Sequence, residues 1–284
     1  MSLPRLNGII RALESGQHAF SSFQPIDINV AVELTQSNYD GIVLEGEHQG
    51  WDITTMRHAL QYMLNRGHIA KGGIAPKVTP MARVPSNGVE KNQFLAKQAL
   101  DIGCYGIVFP HISTVEEAYN AIAACRYARL KDKPLYEPQG IRGDGPMQAC
   151  RYWGISQAEY YEVADVWPLA PKGELFIILQ IEDTAGIENL DDILKNVPGI
   201  GAILIGEGDL SQELGYPRQT EHPVVLDAMA KVVDTCKRHG VIVGHPHVSG
   251  ANAERVISEG YRFLMCGAPR SYGTLDNTRK LVGR

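Results

Sequence analysis

The chain is expected to fold as one α/β domain spanning residues 1–284, a (β/α)8 barrel with a long insertion before its fifth strand. A repeating unit and its count carry that expectation. The unit is an amphipathic helical stripe, then a glycine, then a short apolar run, as when a helix with a left-handed cap feeds a buried parallel strand. Strand candidates lie near residues 18–23, 41–46, 78–84, 106–110, 175–182, 201–206, 241–245 and 262–266, about the eight that a barrel of this kind requires. No Gly-x-Gly-x-x-Gly follows the first strand and no loop ends in Gly-Lys-Ser/Thr, which disfavours a doubly wound nucleotide-binding sheet.

The elements follow in order. Ile53, Met56, Leu60, Met63 and Leu64 stripe a helix that Asp52 can cap and Gly67 can end. Leu95, Ala99, Leu100 and Ile102 precede Gly103 and the strand 106–109. Ser113 and Glu116 fit a capping box for a helix that uses Val115, Ala118, Tyr119 and Ile122. The rhythm then fails between Ala128 and Gly173, where Pro134, Pro138, Gly140, Gly143, Gly145 and Pro146 cluster. Residues 129–173 are therefore expected to be an active-site or interface insertion, carrying one short helix started by Ser156 and Glu159. Arg142, Arg151 and Tyr152 are its candidates for substrate contact, or for lid and subunit packing. Beyond it, Val225, Ala228, Val232 and Cys236 lead to Gly240 and the strand 241–243, and Val256 and Ile257 lead to Gly260 and the strand 262–265.

Composition narrows the class. A formal charge of −5 spread along 284 residues gives no basic surface for nucleic acid or for a membrane. Cys104, Cys125, Cys150, Cys236 and Cys266 are scattered without a Cys-x-x-Cys pair, so they read as reduced core thiols. Residues 1–20 include Arg5, Arg11 and Glu14 and build no secretory apolar stretch, and no later run is long enough to span a bilayer. A cytoplasmic location is the expectation.

Two carboxylates stand out. Glu182 closes Leu179-Gln180-Ile181-Glu182, and Asp209 closes Ile203-Leu204-Ile205-Gly206-Glu207-Gly208-Asp209, one strand-plus-helix unit later. In a parallel barrel, successive strand ends open on one rim, so these oxygens would converge and could share a divalent cation. His48 and Arg83 would face the same rim, a distribution suited to moving a proton beside a polarised carbonyl. Each has a plainer explanation: Asp209 could N-cap a helix, Arg83 could be the structural partner of Glu182, and His48 could be a hydrogen-bonded rim histidine. His245 and His247 offer a zinc alternative, and Lys77 a Schiff-base one, while no Gly-x-Ser-x-Gly elbow supports a serine nucleophile.

A family pattern emerges from the ordered set of these segments. Asp40-Gly41-Ile42-Val43-Leu44-Glu45-Gly46-Glu47-His48, Ala82-Arg83-Val84-Pro85, Gln180-Ile181-Glu182 and Gly206-Glu207-Gly208-Asp209-Leu210-Ser211 with Leu214-Gly215-Tyr216 resemble the HpcH/HpaI aldolases, from about Asp27 to Pro269. Ala99-Leu100-Asp101-Ile102-Gly103 and Gly140-Ile141-Arg142-Gly143 resemble that family's connecting segments.

The resemblance implies a metal-dependent carbon–carbon lyase in which Glu182 and Asp209 bind Mg2+, Mn2+ or Co2+. It also implies His48 as general base, Arg83 at the keto oxygen, and Gln180 and Gly208 beside the substrate. The substrate would be a 2-keto-4-hydroxy acid, split into pyruvate and an aldehyde by a homo-oligomer, a hexamer or trimer that exchanges C-terminal helices. A decarboxylase of oxaloacetate-like acids shares the same enolate, and a non-catalytic 2-oxo-acid binder is the alternative of another class. Two departures stand in the chain: Glu45 replaces the aspartate that usually orients the histidine, and Glu207 replaces a proline beside the metal loop.

Overall fold

In a computed structural model, residues 3–85, 91, 93–267 and 273–282 are described. The end of the family resemblance, Pro269, lies outside them. The strands are β1 (Ala19–Ser21), β2 (Phe23–Pro25), β3 (Gly41–Glu45), β4 (Thr79–Arg83), β5 (Gly106–Phe109), β6 (Val166–Trp167), β7 (Leu175–Ile181), β8 (Ala202–Ile205), β9 (Ile242–Val248) and β10 (Phe263–Cys266). All pairings are parallel, in the order β1-β10-β9-β8-β7-β5-β4-β3-β2, with β6 set against the start of β7. Only Ser22 separates β1 from β2, so one bent strand meets both ends of the path and closes the cylinder. Counting β1 and β2 as one, and leaving out β6, the eight expected strands are present at the expected places.

Strand periodicity sorts the side chains into two layers. Val43, Met81, Val108, Phe176, Ile178, Ala202, Leu204, Phe263 and Met265 fill the barrel interior. Their neighbours Ile42, Leu44, Ala82, Ile107, Phe109, Ile177, Leu179, Ile203 and Ile205 pack outward against the helices. The floor of the barrel is closed by a helix, Gly8–Glu14, whose Ile9, Ile10 and Leu13 join the interior cluster. Asn7 caps it by accepting from the amides of Ile9 and Ile10, and Glu174 accepts from the amides of Leu6 and Asn7.

The glycine punctuation holds where a left-handed residue is required: Gly240 (φ 67°) ends Pro223–His239 and Gly260 (φ 99°) ends Ala253–Glu259. Two boundaries differ. The helix Ile53–Tyr62 stops before Gly67, because Asn65 starts a second short helix, Arg66–Ala70, that contains this glycine. The capping box of Val115–Cys125 is Thr114 with Glu117, one residue beyond Ser113 and Glu116, because the Ser113 hydroxyl is given to Asp183. Asp52 and the Ser156–Glu159 box cap their helices as expected.

The insertion does not reach the carboxylate-bearing rim of its own chain. It carries the helices Met147–Trp153 and Gln157–Val163 and then β6, which pairs with Leu175 and Phe176 at the opposite end of β7, about 20 Å from Glu182 at ~3.3 Å per residue. Trp153 stacks on Tyr105 at 4.1 Å, and Tyr152 abuts Gly103, both just before β5. Arg142 is buried, bonded to Asp101 and to the Tyr160 hydroxyl, each at 2.8 Å, while exposed Arg151 faces a surface hollow beside Arg57 and Gln61. Within one chain the active-site role expected of Arg142, Arg151 and Tyr152 is thus not realised, because the segment follows a helix that ends at the barrel floor.

The five cysteines are free, and burial pushes the Cys236 thiol up to about 12, so these groups are inert at neutral pH. Among the described residues no helix is long and apolar enough to cross a membrane.

A fully buried Arg126 anchors the insertion, bonding Asp165 through Nε at 2.7 Å and Nη2 at 3.0 Å, and donating to the carbonyls of Pro138 and Leu135. Burial alone would raise the Asp165 carboxyl, yet Arg126 and Arg129 hold it below the usual range. Replacing Asp165 by Asn leaves Arg126 buried without its counter-charge, which should cost about 3–5 kcal/mol at pH 7. A carboxyl with a depressed folded pKa contributes stability above its unfolded value and loses it as pH falls through the folded one. The gap between wild type and Asp165→Asn in urea unfolding should therefore narrow below about pH 4.

Candidate active site

The inward-facing rows continue past the apolar interior and turn polar at the C-terminal mouth. Glu45 follows Val43 on β3, Arg83 follows Met81 on β4, and Gln180 and Glu182 follow Ile178 on β7 and just beyond it. Register puts Glu45 directly beside Arg83. Four side chains from three strands therefore meet without any loop having to place them.

Arg83 is the hub. Its guanidinium, 4.1 Å over the Phe23 ring, donates to both Glu45 oxygens and to Gln180 Oε1 at 3.3 Å, and its Nη1 lies 2.7 Å from Glu47 Oε2. Gln180 passes the connection on, donating from Nε2 to Glu182 Oε2 at 2.6 Å. Arg83 is thus the partner of Glu45 and Glu47, and reaches Glu182 only through Gln180. The other Glu182 oxygen accepts the His111 amide at 2.6 Å.

Glu45 does not orient the His48 ring. Its Oε1 accepts the backbone amides of Glu47 at 2.7 Å and His48 at 3.3 Å, and thereby shapes the turn that follows β3. The longer arm of glutamate folds back onto that turn, where it meets Arg83. The His48 side chain is 66% exposed, and its Nε2 lies 3.7 Å from Glu47 Oε2.

The charges do not balance within this cluster. Glu45, Glu47 and Glu182 are buried side chains facing one buried guanidinium. Burial pushes the Glu182 carboxyl up to about 7, although Gln180 and the His111 amide pull the other way. Burial also raises Glu47 more than Arg83 and His111 lower it, with Glu45 and Asp209 adding repulsion. Glu47 Oε2, despite its proximity to Arg83, makes no hydrogen bond. One ligating atom each from Glu47, His111 and Glu182 lie within 4.8 Å of one another. The donor set, the orphaned oxygen and the uncompensated charge all fit a divalent cation.

The remaining expected residues are placed as follows. Asp209 is exposed on the first turn of Glu207–Glu213, outside the tight trio but near enough for its charge to act on Glu47. It does not cap that helix, which starts at Gly206 without a side-chain hydrogen bond. A Cβ on Gly206 would collide with the Glu182 side chain, so glycine there lets the turn close over the carboxylate. Gly208 lies in the same first turn, its carbonyl accepting the Ser211 hydroxyl at 2.7 Å. His245 and His247 both converge on buried Glu207, at 3.4 Å and 2.8 Å, rather than on a metal trio of their own. Lys77 is exposed just before β4, at the floor end.

Sequence reasoning missed Glu47 and His111. Glu47 stands two residues beyond Glu45 and so has the inward parity of that strand, and His111 follows the apolar run 106–109 and Pro110 as the other rim residues follow theirs.

Residues 26–270 match the family model of the HpcH/HpaI aldolase/citrate lyase group. The chain is 31% identical over 246 residues to a 2-keto-3-deoxy-L-rhamnonate aldolase of Klebsiella pneumoniae subsp. pneumoniae, covering 87% of this chain and 80% of that one. It is 31% identical over 235 residues to a 5-keto-4-deoxy-D-glucarate aldolase of Escherichia fergusonii, covering 83% and 79%. A crystal structure of an HpcH/HpaI aldolase/citrate lyase family protein from Burkholderia cenocepacia superposes with a TM-score of 0.77 at 25% identity, over 97% of this chain and 98% of that one. The barrel, its mouth and these likenesses converge: the chain belongs to the HpcH/HpaI aldolase/citrate lyase family and is a carbon–carbon lyase.

Proposed function

We propose that the protein is a divalent-metal-dependent pyruvate aldolase, which cleaves or forms the C3–C4 bond of a 2-keto-4-hydroxy acid. The observation that carries this reading is the buried Glu182 facing Glu47 and His111 at the mouth, with two more carboxylate charges than Arg83 can offset. The names of the relatives, aldolases of keto-deoxy sugar acids, support a polyhydroxylated acid as substrate.

Mg2+, Mn2+ or Co2+ held by Glu182, with Asp209 and Glu47 at hand, would polarise the keto group of a bound 2-oxo acid. The chain's own residues supply the rest. Arg83 and Gln180 fix the carboxylates and stand where negative charge develops on the keto oxygen. His48 takes the proton of the 4-hydroxyl as the C3–C4 bond breaks, the bonding pair passes into the three-carbon fragment, the aldehyde leaves, and a proton returned to C3 of that fragment gives pyruvate. Gly208 keeps the first turn of Glu207–Glu213 free of side-chain bulk next to the substrate. The exposed rim position of His48 suits transfer through a water molecule.

The C-terminal helix Gly273–Leu281 buries none of its residues, and its Leu275 and Leu281 are 55% and 86% exposed. That supports assembly through exchange of this helix, as a trimer or hexamer. The mass of the protein in solution by light scattering should be three or six times 31.2 kDa, and a monomer mass would overturn this assembly.

Pyruvate release from a panel of 2-keto-4-hydroxy acids should vanish with chelator and return with added Mg2+, Mn2+ or Co2+. Equal release in both arms removes the metal from the mechanism. Glu182→Ala and Asp209→Ala should lose metal affinity, seen by calorimetry. His48→Ala should keep that affinity and lose about 10²–10⁴-fold in kcat. Full turnover in that variant would reassign the base.

A further inference from the structure

His111 belongs to the trio at the mouth, yet it takes no part in the proposed proton transfer. It sits after β5 with φ 56°, a left-handed conformation that a histidine adopts uncommonly. The loop is held there from several sides. The amide of Ile112 donates to the Gln180 carbonyl at 3.2 Å, the amide of His111 to Glu182, and the Ser113 hydroxyl to Asp183. A backbone kept in a sparsely populated region by that many contacts directs its side chain, and the ring goes to the mouth. Its Nε2 lies 3.3 Å from Glu47 Oε1, and its Nδ1 lies 3.7 Å from Glu182 Oε1.

Those separations carry a meaning. Two donors on one ion at bond lengths of about 2.1 Å stand roughly 3.0–3.5 Å apart for octahedral or tetrahedral angles. The Nε2 to Glu47 spacing falls in that range, the Nδ1 to Glu182 spacing lies just beyond it, and one ligating atom from each of the three groups lies within 4.8 Å of the others, which a small turn of the ring would tighten. The Glu47 side chain is only 6% exposed, and its buried Oε2, although 2.7 Å from Arg83 Nη1, makes no hydrogen bond, so this carboxylate has capacity left for a further partner. The ring itself is half exposed, which leaves it free to settle onto an ion from the open side.

We propose that His111 is a direct nitrogen ligand of the cation at this mouth, beside Glu47 and Glu182. The inference rests on the reading that Glu182 holds a divalent ion, and goes beyond it by changing the kind of ion favoured. An imidazole in an otherwise oxygen-donor set favours the borderline ions Co2+, Ni2+ and Zn2+ over hard Mg2+.

The test uses the full-length protein loaded with Mn2+ and read by electron spin-echo spectroscopy. A nitrogen modulation from a directly bound imidazole is expected in the wild type. It should persist in His48→Gln and disappear in His111→Asn, chosen because asparagine tolerates the left-handed backbone and offers an oxygen. Calorimetry adds a second readout. His111→Asn should weaken Co2+ on the order of 10–100-fold and Mg2+ by no more than about threefold, abolishing the preference between them. Mn2+ bound without nitrogen modulation, modulation lost only in His48→Gln, or equal loss of Co2+ and Mg2+ would each overturn the His111 assignment while leaving the metal in place. Failure of the wild type to bind any of these ions would overturn the metal reading itself. Unchanged melting of His111→Asn keeps the comparison free of folding effects.

Discussion

Repulsion among buried carboxylates governs one end of this molecule. Glu45, Glu182 and Glu207 expose 5%, 2% and 4% of their surface, and Glu47 is nearly as enclosed. Placing such groups together away from water is costly unless donors and cations answer them. Glu207 is answered by two imidazoles, and Glu45 by Arg83 and two amides of its own turn. Glu47 and Glu182 are answered only in part, and this residual charge is what marks the mouth as the candidate site. Arg83, its aliphatic stem and ring-stacked head both buried, is the centre from which the arrangement is organised.

Much of this was legible in the residues because a parallel barrel translates sequence parity into space. The apolar runs, the glycines at 240 and 260 and the caps at Asp52 and Ser156 are local signals, and they act locally in the fold. Arg83 and Glu182 were legible from their places at strand ends, while Glu45 and Gln180 came with the family resemblance and prove to share the same inward parity. What parity cannot encode is the path of the chain after a strand ends. Glu47 and His111 lie on turns whose direction depends on Glu45 folding back and on the Ser113 to Asp183 contact, both tertiary events. The one-residue slip of the capping box from Ser113 to Thr114 has that same origin.

The insertion illustrates the other limit. Its length and its proline and glycine content marked it as irregular, yet only packing decides which end of the barrel it covers. Trp153 on Tyr105, and Arg126 with Asp165, fasten it to the floor, so within one chain it packs at the end opposite the candidate site. The helix Gly8–Glu14 likewise lacked a visible destination in the sequence, although Ile9, Ile10 and Leu13 have the spacing of a helical stripe.

That floor helix constrains how material moves. With Ile9, Ile10 and Leu13 wedged among the interior side chains, the packed cylinder is shut at its floor, and among the described residues its polar end is the opposite mouth. A reaction that turns one molecule into two must then discharge both through the same opening.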